Sequence, residues 1–334
     1  VEGGGLAGIS TIGVAGAGAW GVALANVAAR AGRRVILWGR DAEAMRSLSE
    51  SRQSPHLLGA TLADAIVVSA DIGALAACEA ALVVVPAQAT RAVAGQLAGV
   101  LPAAAALVAC AKGIELGADL FMTEVLAQAA PGHPGAILSG PSFAADVAAG
   151  LPTAVTLACA DEARARALAR ALNSPNFRLY HSDDVRGVEI GGAAKNVLAI
   201  ACGIASGLGL GPSAGAALIA RGFAELSRFG AAYGARPQTL MGLSGLGDLV
   251  LTCTSPQSRN FAFGLALGRG MSAADAAAGK LAEGATTVSA LLEMARARKI
   301  EMPIASSVAA VIAGDEDVRA IVGKLLARPA KAEG

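Results

Sequence analysis

Histidine is nearly missing from this chain. Its three copies, His56, His133 and His181, stand alone. A histidine-based catalytic apparatus is therefore not expected, although a reductase needs only one general acid. Five cysteines occur, Cys78, Cys110, Cys159, Cys202 and Cys253. None forms a CxxC pair or has histidines at metal-ligand spacing, so no metal site is expected. An odd, scattered set reads as buried free thiols in a reducing cytoplasm. An excess of charge is also lacking: 27 basic and 26 acidic residues give a net +1. That balance offers nothing to attract nucleic acid or an anionic membrane.

What the chain has in quantity is small apolar residues. Aromatics are 3% of it, and the mean hydropathy is +0.55. Its 334 residues exceed one typical core, so two domains are expected. The most membrane-like stretch, 196–220, carries no charge and has Gly203, Gly207 and Gly211 four apart, as in membrane helix dimers. Gly209, Pro212 and Ser213 interrupt it, and a helix buried inside a protein looks the same, so no membrane insertion is expected. The start of the chain is too rich in glycine and too short in apolar length for a signal peptide. Residues 1–10 are expected to form a flexible tail.

The first half alternates. Strand-like runs occur at 11–15, 34–38, 66–69, 81–85, 107–110, 136–138 and 154–158, with one more at 177–180. Helical patterns fall between most of them, at 20–31, 42–50, 90–100, 121–129 and 162–172. Such alternation, with strands apolar on both faces, predicts a parallel, doubly wound sheet. After Ser182 no convincing strand follows. Helices are expected instead, broken near 209–212, 235–237, 255–256, 268–270, 284 and 302–303. The predicted organisation is an α/β sheet domain over 11–190 and an all-α domain over 191–334. A cleft between two such domains is a usual place for a substrate.

Gly16-Ala17-Gly18-Ala19-Trp20-Gly21 sits between the first strand and the first helix. In that setting GxGxxG marks a Rossmann-type dinucleotide-binding unit. Gly16 permits the tight turn, Gly18 lets the backbone approach a pyrophosphate, and Gly21 lets helix and strand pack closely. The second strand ends Leu37-Trp38-Gly39-Arg40-Asp41. An acidic residue there would favour the ribose hydroxyls of NADH, and an arginine the 2′-phosphate of NADPH. Asp41 stands where the next helix needs an N-cap. Arg40 then decides for NADPH, unless it is an ordinary solvated arginine.

Several polar residues keep apolar company. Lys112 follows a buried strand, at the sheet edge where ligands bind. Lys195 enters the apolar segment, where an ammonium is costly unless paired or useful. Burial lowers a lysine's pKa and suits it to proton transfer, yet the same lysine can bury its stem and reach water with its head. Asp248 lies between glycines and aliphatics, as a partner for Lys195 or as a helix cap. Ser258-Arg259-Asn260 offers a guanidinium fork beside an amide, suited to phosphate oxygens, although surface loops contain such runs too.

Together these segments resemble the bacterial NAD(P)-dependent glycerol-3-phosphate dehydrogenases. The matching segments run from Thr11 to Pro303: GAGAWGVALA at 16–25, VILWGRD at 35–41, LVVVPAQ at 82–88, AKGIE at 111–115, LSGPSFA at 138–144, GGAAKNVLAI at 191–200, LIARG at 218–222, GLSGLGDLVLTCTSPQSRN at 242–260 and AEGATT at 282–287. The resemblance implies reversible reduction of dihydroxyacetone phosphate to sn-glycerol 3-phosphate, a supply reaction for phospholipid synthesis, by a cytoplasmic enzyme, with a homodimer expected from family and base rate. It implies that Lys195 is the general acid and base at the C2 oxygen, that Lys112 polarises that oxygen near the nicotinamide, and that Asp248 and Thr252 orient the lysines. Gly140, Ser142, Asn196, Ser258, Arg259 and Asn260 match substrate contacts, joined by the two lysines and Asp248. Ala19, Trp20, Arg40, Lys112, Ala144, Arg259, Leu281 and Glu283 match cofactor contacts, with the three glycines of the turn.

Two departures alter packing around the cofactor at most. Leu281-Ala282 stands where the family often has two valines, and Ala285 where larger residues are common. Related hydroxyacid dehydrogenases carry an asparagine four residues after the lysine. Here Ala199 holds that position and Asn196 follows Lys195 directly, which counts against a hydroxyacid or ketoacid reductase. A non-catalytic dinucleotide sensor on the same fold is the other alternative. It would have no need of a proton donor beside the nicotinamide.

Overall fold

In the computed structural model, residues 8–277, 282–316 and 318–320 are described. The sheet half contains β1 (Thr11–Ala15), α1 (Ala19–Arg30), β2 (Arg34–Trp38), α2 (Ala42–Ser51), β3 (Ile66–Ser69), β4 (Ala80–Val83), α3 (Thr90–Ala98), β5 (Ala106–Ala109), a hairpin of β6 (Ile114–Glu115) and β7 (Leu120–Phe121), α4 (Met122–Ala129), β8 (Gly135–Ser139), α5 (Ala144–Ala148), β9 (Thr153–Ala158), α6 (Glu162–Leu172) and β10 (Phe177–Ser182). Strands β1, β4 and β5 are buried at every residue. Continuous apolar strands behave so when helices cover both faces. Here α1 and α6 pack on one face, through residues such as Leu24 and Leu168. On the other, α3 and α4 pack through Leu97 and Leu126.

The strand order is β10-β9-β8-β5-β4-β1-β2-β3. Neighbours from β3 to β8 are parallel. Chain order reverses between β1 and β4, which opens a crevice at their carboxyl ends. One pair departs from the expected parallel pattern: β9 runs antiparallel to β8, and β10 follows β9. The physical reason is the connection. A parallel return needs a crossover across the sheet face, but the β8–β9 segment holds only the short α5. It therefore stays at the carboxyl edge of β8. Every strand expected from the sequence is present to within two residues at either end. The 3-10 turn Ile72–Ala77 and the β6–β7 hairpin carry no signal in the sequence.

The second half is helical: α7 (Val185–Gly207), α8 (Gly211–Ala232), α9 (Pro237–Leu240), α10 (Asp248–Thr254), α11 (Arg259–Gly268), α12 (Ala273–Ala277), α13 (Glu283–Ala297) and α14 (Pro303–Ala313). The break expected near Gly284 falls at the start of α13, whose first residue is Glu283. A π turn at Leu243–Gly247 precedes α10. The membrane-like stretch 196–220 spans parts of α7 and α8. Among the described residues α7 is the one helix long and apolar enough to cross a membrane, and its apolar window is 100% buried. Its glycines serve contact within the chain. A Cβ on Gly203 would lie 2.1 Å from the Phe261 carbonyl oxygen, and one on Gly264 would lie 2.1 Å from that of Ile200. Helices α7 and α11 thus meet backbone to backbone, as small residues allow. Gly211 stands apart from this contact, at the start of α8. Residues 190 and 191 both lie within α7. Of the N-terminal tail, residues 1–7 fall outside the described residues, while Arg33 binds the Ile9 carbonyl and Glu79 holds Ser10.

Candidate active site

The turn after β1 sits at the crevice. Gly16 has φ +122, and a Cβ there would lie 2.2 Å from the Val84 carbonyl oxygen. Only glycine combines that conformation with so close an approach to β4. A Cβ on Gly21 would meet the Gly16 carbonyl at 1.8 Å, whereas nothing lies within 4 Å of one on Gly18. Gly18 is the N-cap of α1, with no side-chain cap and no acidic residue in the first turn, which holds Ala19 and Trp20. An uncapped helix N-terminus facing open space fits a pyrophosphate, so the residues present suit the dinucleotide.

At the end of β2, Asp41 is spent on its own helix. Its Oδ1 accepts from Glu43 N and Ala44 N, both at 3.0 Å. Arg40 beside it is exposed. Ala144 opens α5, whose N-cap likewise lacks a side-chain bond. Leu281 lies outside the described residues. Glu283 is the first residue of α13. Burial pushes its carboxyl up, against the opposing pull of Arg259, Lys112 and Lys195.

Lys112, Lys195, Asp248 and Thr252 come from three separate regions and converge. Lys195 Nζ donates to Asp248 Oδ1 at 2.7 Å and to Thr252 Oγ1 at 2.6 Å. Lys112 Nζ donates to Asp248 Oδ2 at 2.8 Å and to the Gly140 carbonyl at 2.8 Å. One carboxylate therefore bridges two ammoniums. Lys195 and Asp248 are buried, at 5% and 1% exposure, while the Lys112 side chain keeps 15%. Burial brings Lys195 down to about 8; Asp248 pulls it back up, and Lys112 adds to the fall. For Asp248 burial works upward, but the two lysines outweigh it and hold its carboxyl below the usual range. Each ammonium has three donors, and each uses two within the cluster. Two spare N–H groups remain beside one carboxylate.

The π turn explains how Asp248 gets there. A Cβ on Gly191 would lie 2.5 Å from the Ser244 carbonyl oxygen, so α7 admits this turn only because it is small at that point. Asp248 then heads α10, with Thr252 one turn on at 3.2 Å. Its reading as a helix cap is not met: Gly247 is the N-cap, and both Asp248 oxygens face lysines.

Three asparagine bonds continue from Lys112. Asn196 Nδ2 donates to the Lys112 carbonyl at 2.9 Å, Asn260 Nδ2 to Asn196 Oδ1 at 2.9 Å, and Gly284 N to Asn260 Oδ1 at 2.9 Å. Ser258 caps α11 through Phe261 N, and exposed Arg259 follows it. Ser142 Oγ donates to the Gly140 carbonyl at 3.0 Å. The link from Asn260 to the start of α13 had no sequence signal, because spacing alone does not show which helix end a side chain reaches. Ser139 and Ser244 were also missed. Both are buried hydroxyls without a partner among the described residues, and Ser139 Oγ lies against Gly192 of α7. In sequence they look like ordinary strand-end and loop serines.

The chain matches two family models: NAD-dependent glycerol-3-phosphate dehydrogenase N-terminus over residues 11–165 and the corresponding C-terminus over 184–323. It is 60% identical to a glycerol-3-phosphate dehydrogenase [NAD(P)+] of Rhodopseudomonas palustris, covering 97% of this chain and 99% of that one. Identity to the protein of the same name in Azorhizobium caulinodans is 61%, over 96% and 98% of the two chains. A solved glycerol-3-phosphate dehydrogenase from Coxiella burnetii superposes with a TM-score of 0.91 at 38% identity, over 96% and 99% of the two chains. With both halves matched in order around a shared cluster of Lys112, Lys195 and Asp248, the chain belongs to the NAD-dependent glycerol-3-phosphate dehydrogenase family.

Proposed function

We propose that this protein reversibly reduces dihydroxyacetone phosphate to sn-glycerol 3-phosphate with NADPH or NADH, NADPH being preferred, and so supplies phospholipid synthesis. The observation that carries the reading is the pair of spare ammonium donors on either side of Asp248. The nicotinamide, when bound, supplies the hydride to the C2 carbonyl carbon. Negative charge then grows on the carbonyl oxygen. Lys195 donates its third proton there and returns to neutral lysine, while Lys112 polarises the same oxygen. Asp248 keeps both ammoniums in place without cancelling them, since two positive charges share one negative. Thr252 fixes the direction of Lys195. In the reverse direction neutral Lys195 takes the proton from the C2 hydroxyl.

Phosphate recognition falls to Arg259, with Ser258, Asn260 and Asn196 around it. Gly140 and Ser142 border the substrate beside Lys112. Gly16, Gly18, Ala19, Trp20 and Gly21 hold the pyrophosphate, and Arg40 the 2′-phosphate. Ala144, Glu283 and Leu281 complete the cofactor contacts. Residues 11–190 form the dinucleotide unit in this reading, and 191–334 the helical substrate unit. A homodimer in the cytoplasm completes it: free, buried thiols suit a reducing compartment, and sedimentation velocity reads the assembly.

The test is the initial rate of NADPH and NADH oxidation with dihydroxyacetone phosphate, for wild type and Lys195→Ala. Turnover that collapses in the variant by about 100- to 10,000-fold, with substrate binding kept, supports both the reaction and the proton donor. No wild-type turnover with either cofactor, despite tight nucleotide binding, refutes the reaction.

A further inference from the structure

Glu189 lies on α7, 5% exposed, in a part of the helix that the chemistry above does not use. A carboxylate is costly to bury without a partner, and the partner it has is on another helix. Glu189 Oε1 accepts from Thr123 N at 2.7 Å, in the first turn of α4. The cap of α4 is Phe121, whose N–H is met by Glu124 Oε2 at 2.9 Å. Thr123 N–H, left over by that local box, is satisfied from α7.

The second oxygen, Oε2, has no hydrogen bond and faces Arg186 Nη1 at 3.5 Å. Arg186 is itself fixed. Its Nη2 donates to Glu124 Oε1 at 2.7 Å, and its guanidinium carbon lies 4.0 Å from the Phe121 ring centre. Phe121 stands edge-on to Tyr233 of the helical half at 5.7 Å.

The position on α7 matters. Lys195 and Asn196 follow Glu189 by six and seven residues, about 9–10 Å along the helix axis. Asn196 ties α7 to the sheet half at the Lys112 carbonyl, and Glu189 ties it to the sheet half at α4. A helix held at two points so far apart can neither slide nor turn. We propose that Glu189 is a positioning residue for Lys195: by capping α4 from α7, it sets the register and rotation of the helix that carries the proton donor. The inference rests on the reduction reading above.

The charged groups facing Glu189 are Arg186 on its own helix and Glu124 on α4. Burial pushes its carboxyl up to about 7, against the Thr123 bond and Arg186, while Glu124 adds to the rise. Its charge, and with it the ion pair to Arg186, is therefore present above that pH and lost below it.

The experiment compares wild type, Glu189→Gln and Glu189→Ala across pH. Glutamine keeps an oxygen for Thr123 N–H and stays neutral throughout; alanine removes both the bond and the charge. In wild type, kcat for reduction falls as Lys195 loses its proton near 8. In Glu189→Gln kcat and the falling limb stay within about twofold of wild type, because the amide oxygen still accepts from Thr123 N–H. In Glu189→Ala kcat drops about tenfold at every pH, the scale of loss from a misplaced reacting group. NADPH binding, read by fluorescence titration, stays within about twofold in both, because the Gly16 to Gly21 turn takes no part in the contact. The proposal fails if Glu189→Gln loses as much kcat as Glu189→Ala, or if Glu189→Ala retains wild-type kcat. Wild type without turnover overturns the reduction reading and this proposal with it, whereas turnover with an unaltered Glu189→Ala overturns this proposal alone.

Discussion

Lys195 and Asp248 meet at 2.7 Å across 53 residues of chain, joining the middle of α7 to the first residue of α10. The second Asp248 oxygen holds Lys112, so the carboxylate is the hinge between sheet and helices. The charge state of the cluster follows from this arrangement.

The two directions of the reaction are expected to depend oppositely on pH. Lys195 sits near 8 rather than 10.5. With Lys195 as the proposed proton donor, reduction requires its ammonium, so that rate falls as pH rises through about 8; oxidation requires the free amine, so that rate rises over the same range. The folded value lies below the unfolded one, so the unfolded chain holds more protons between the two. This group therefore adds stability as pH climbs through that window and withdraws it below. Rates in both directions against pH check the first claim, and denaturation midpoints against pH the second.

Asp248→Asn is expected to move the Lys195 limb to lower pH. The substitution removes the charge that pulls Lys195 upward and leaves Lys112, which pushes it down. Reduction should lose about tenfold or more in kcat near neutrality. An unmoved limb in the pH profile would show that Asp248 does not set the charge of Lys195.

Arg40→Ala is expected to raise KM for NADPH about tenfold while leaving KM for NADH within about twofold, since only the former carries a 2′-phosphate. Steady-state kinetics with each cofactor reads the difference. Equal losses for both would assign Arg40 to something other than the phosphate.

Gly203→Ala is expected to destabilise the fold by about 1–3 kcal/mol, the usual range for overpacking. The new Cβ meets a backbone carbonyl at 2.1 Å, and backbone yields less readily than a side chain. Thermal unfolding of the variant against wild type measures it.

The sequence made the sheet half legible because buried strands and the Gly16 to Gly21 turn leave local patterns. Asp41 stands at a cap position in the sequence, and its bonds to Glu43 and Ala44 agree. The antiparallel β9 was not legible, since strand direction depends on where the connection runs and not on the strand's own residues. Lys112, Lys195 and Asp248 stood out as charges among small residues, but their meeting on one carboxylate is a long-range fact. Glu189 gave no signal at all: its partner is a backbone N–H, and nothing in a sequence marks a donor left over on another helix.

The order of helices along the chain has a consequence for synthesis. Helices α8, α10, α11, α13 and α14 all pack against α7, and all follow it. A ribosome making this protein releases the most membrane-like segment before any of the helices that shield it. The sheet domain can fold as it emerges, but α7 is covered only in part until α14 is complete, about a hundred residues later. The newborn chain therefore passes through a stage at which a long apolar helix, wholly enclosed in the finished fold, is still partly open to water.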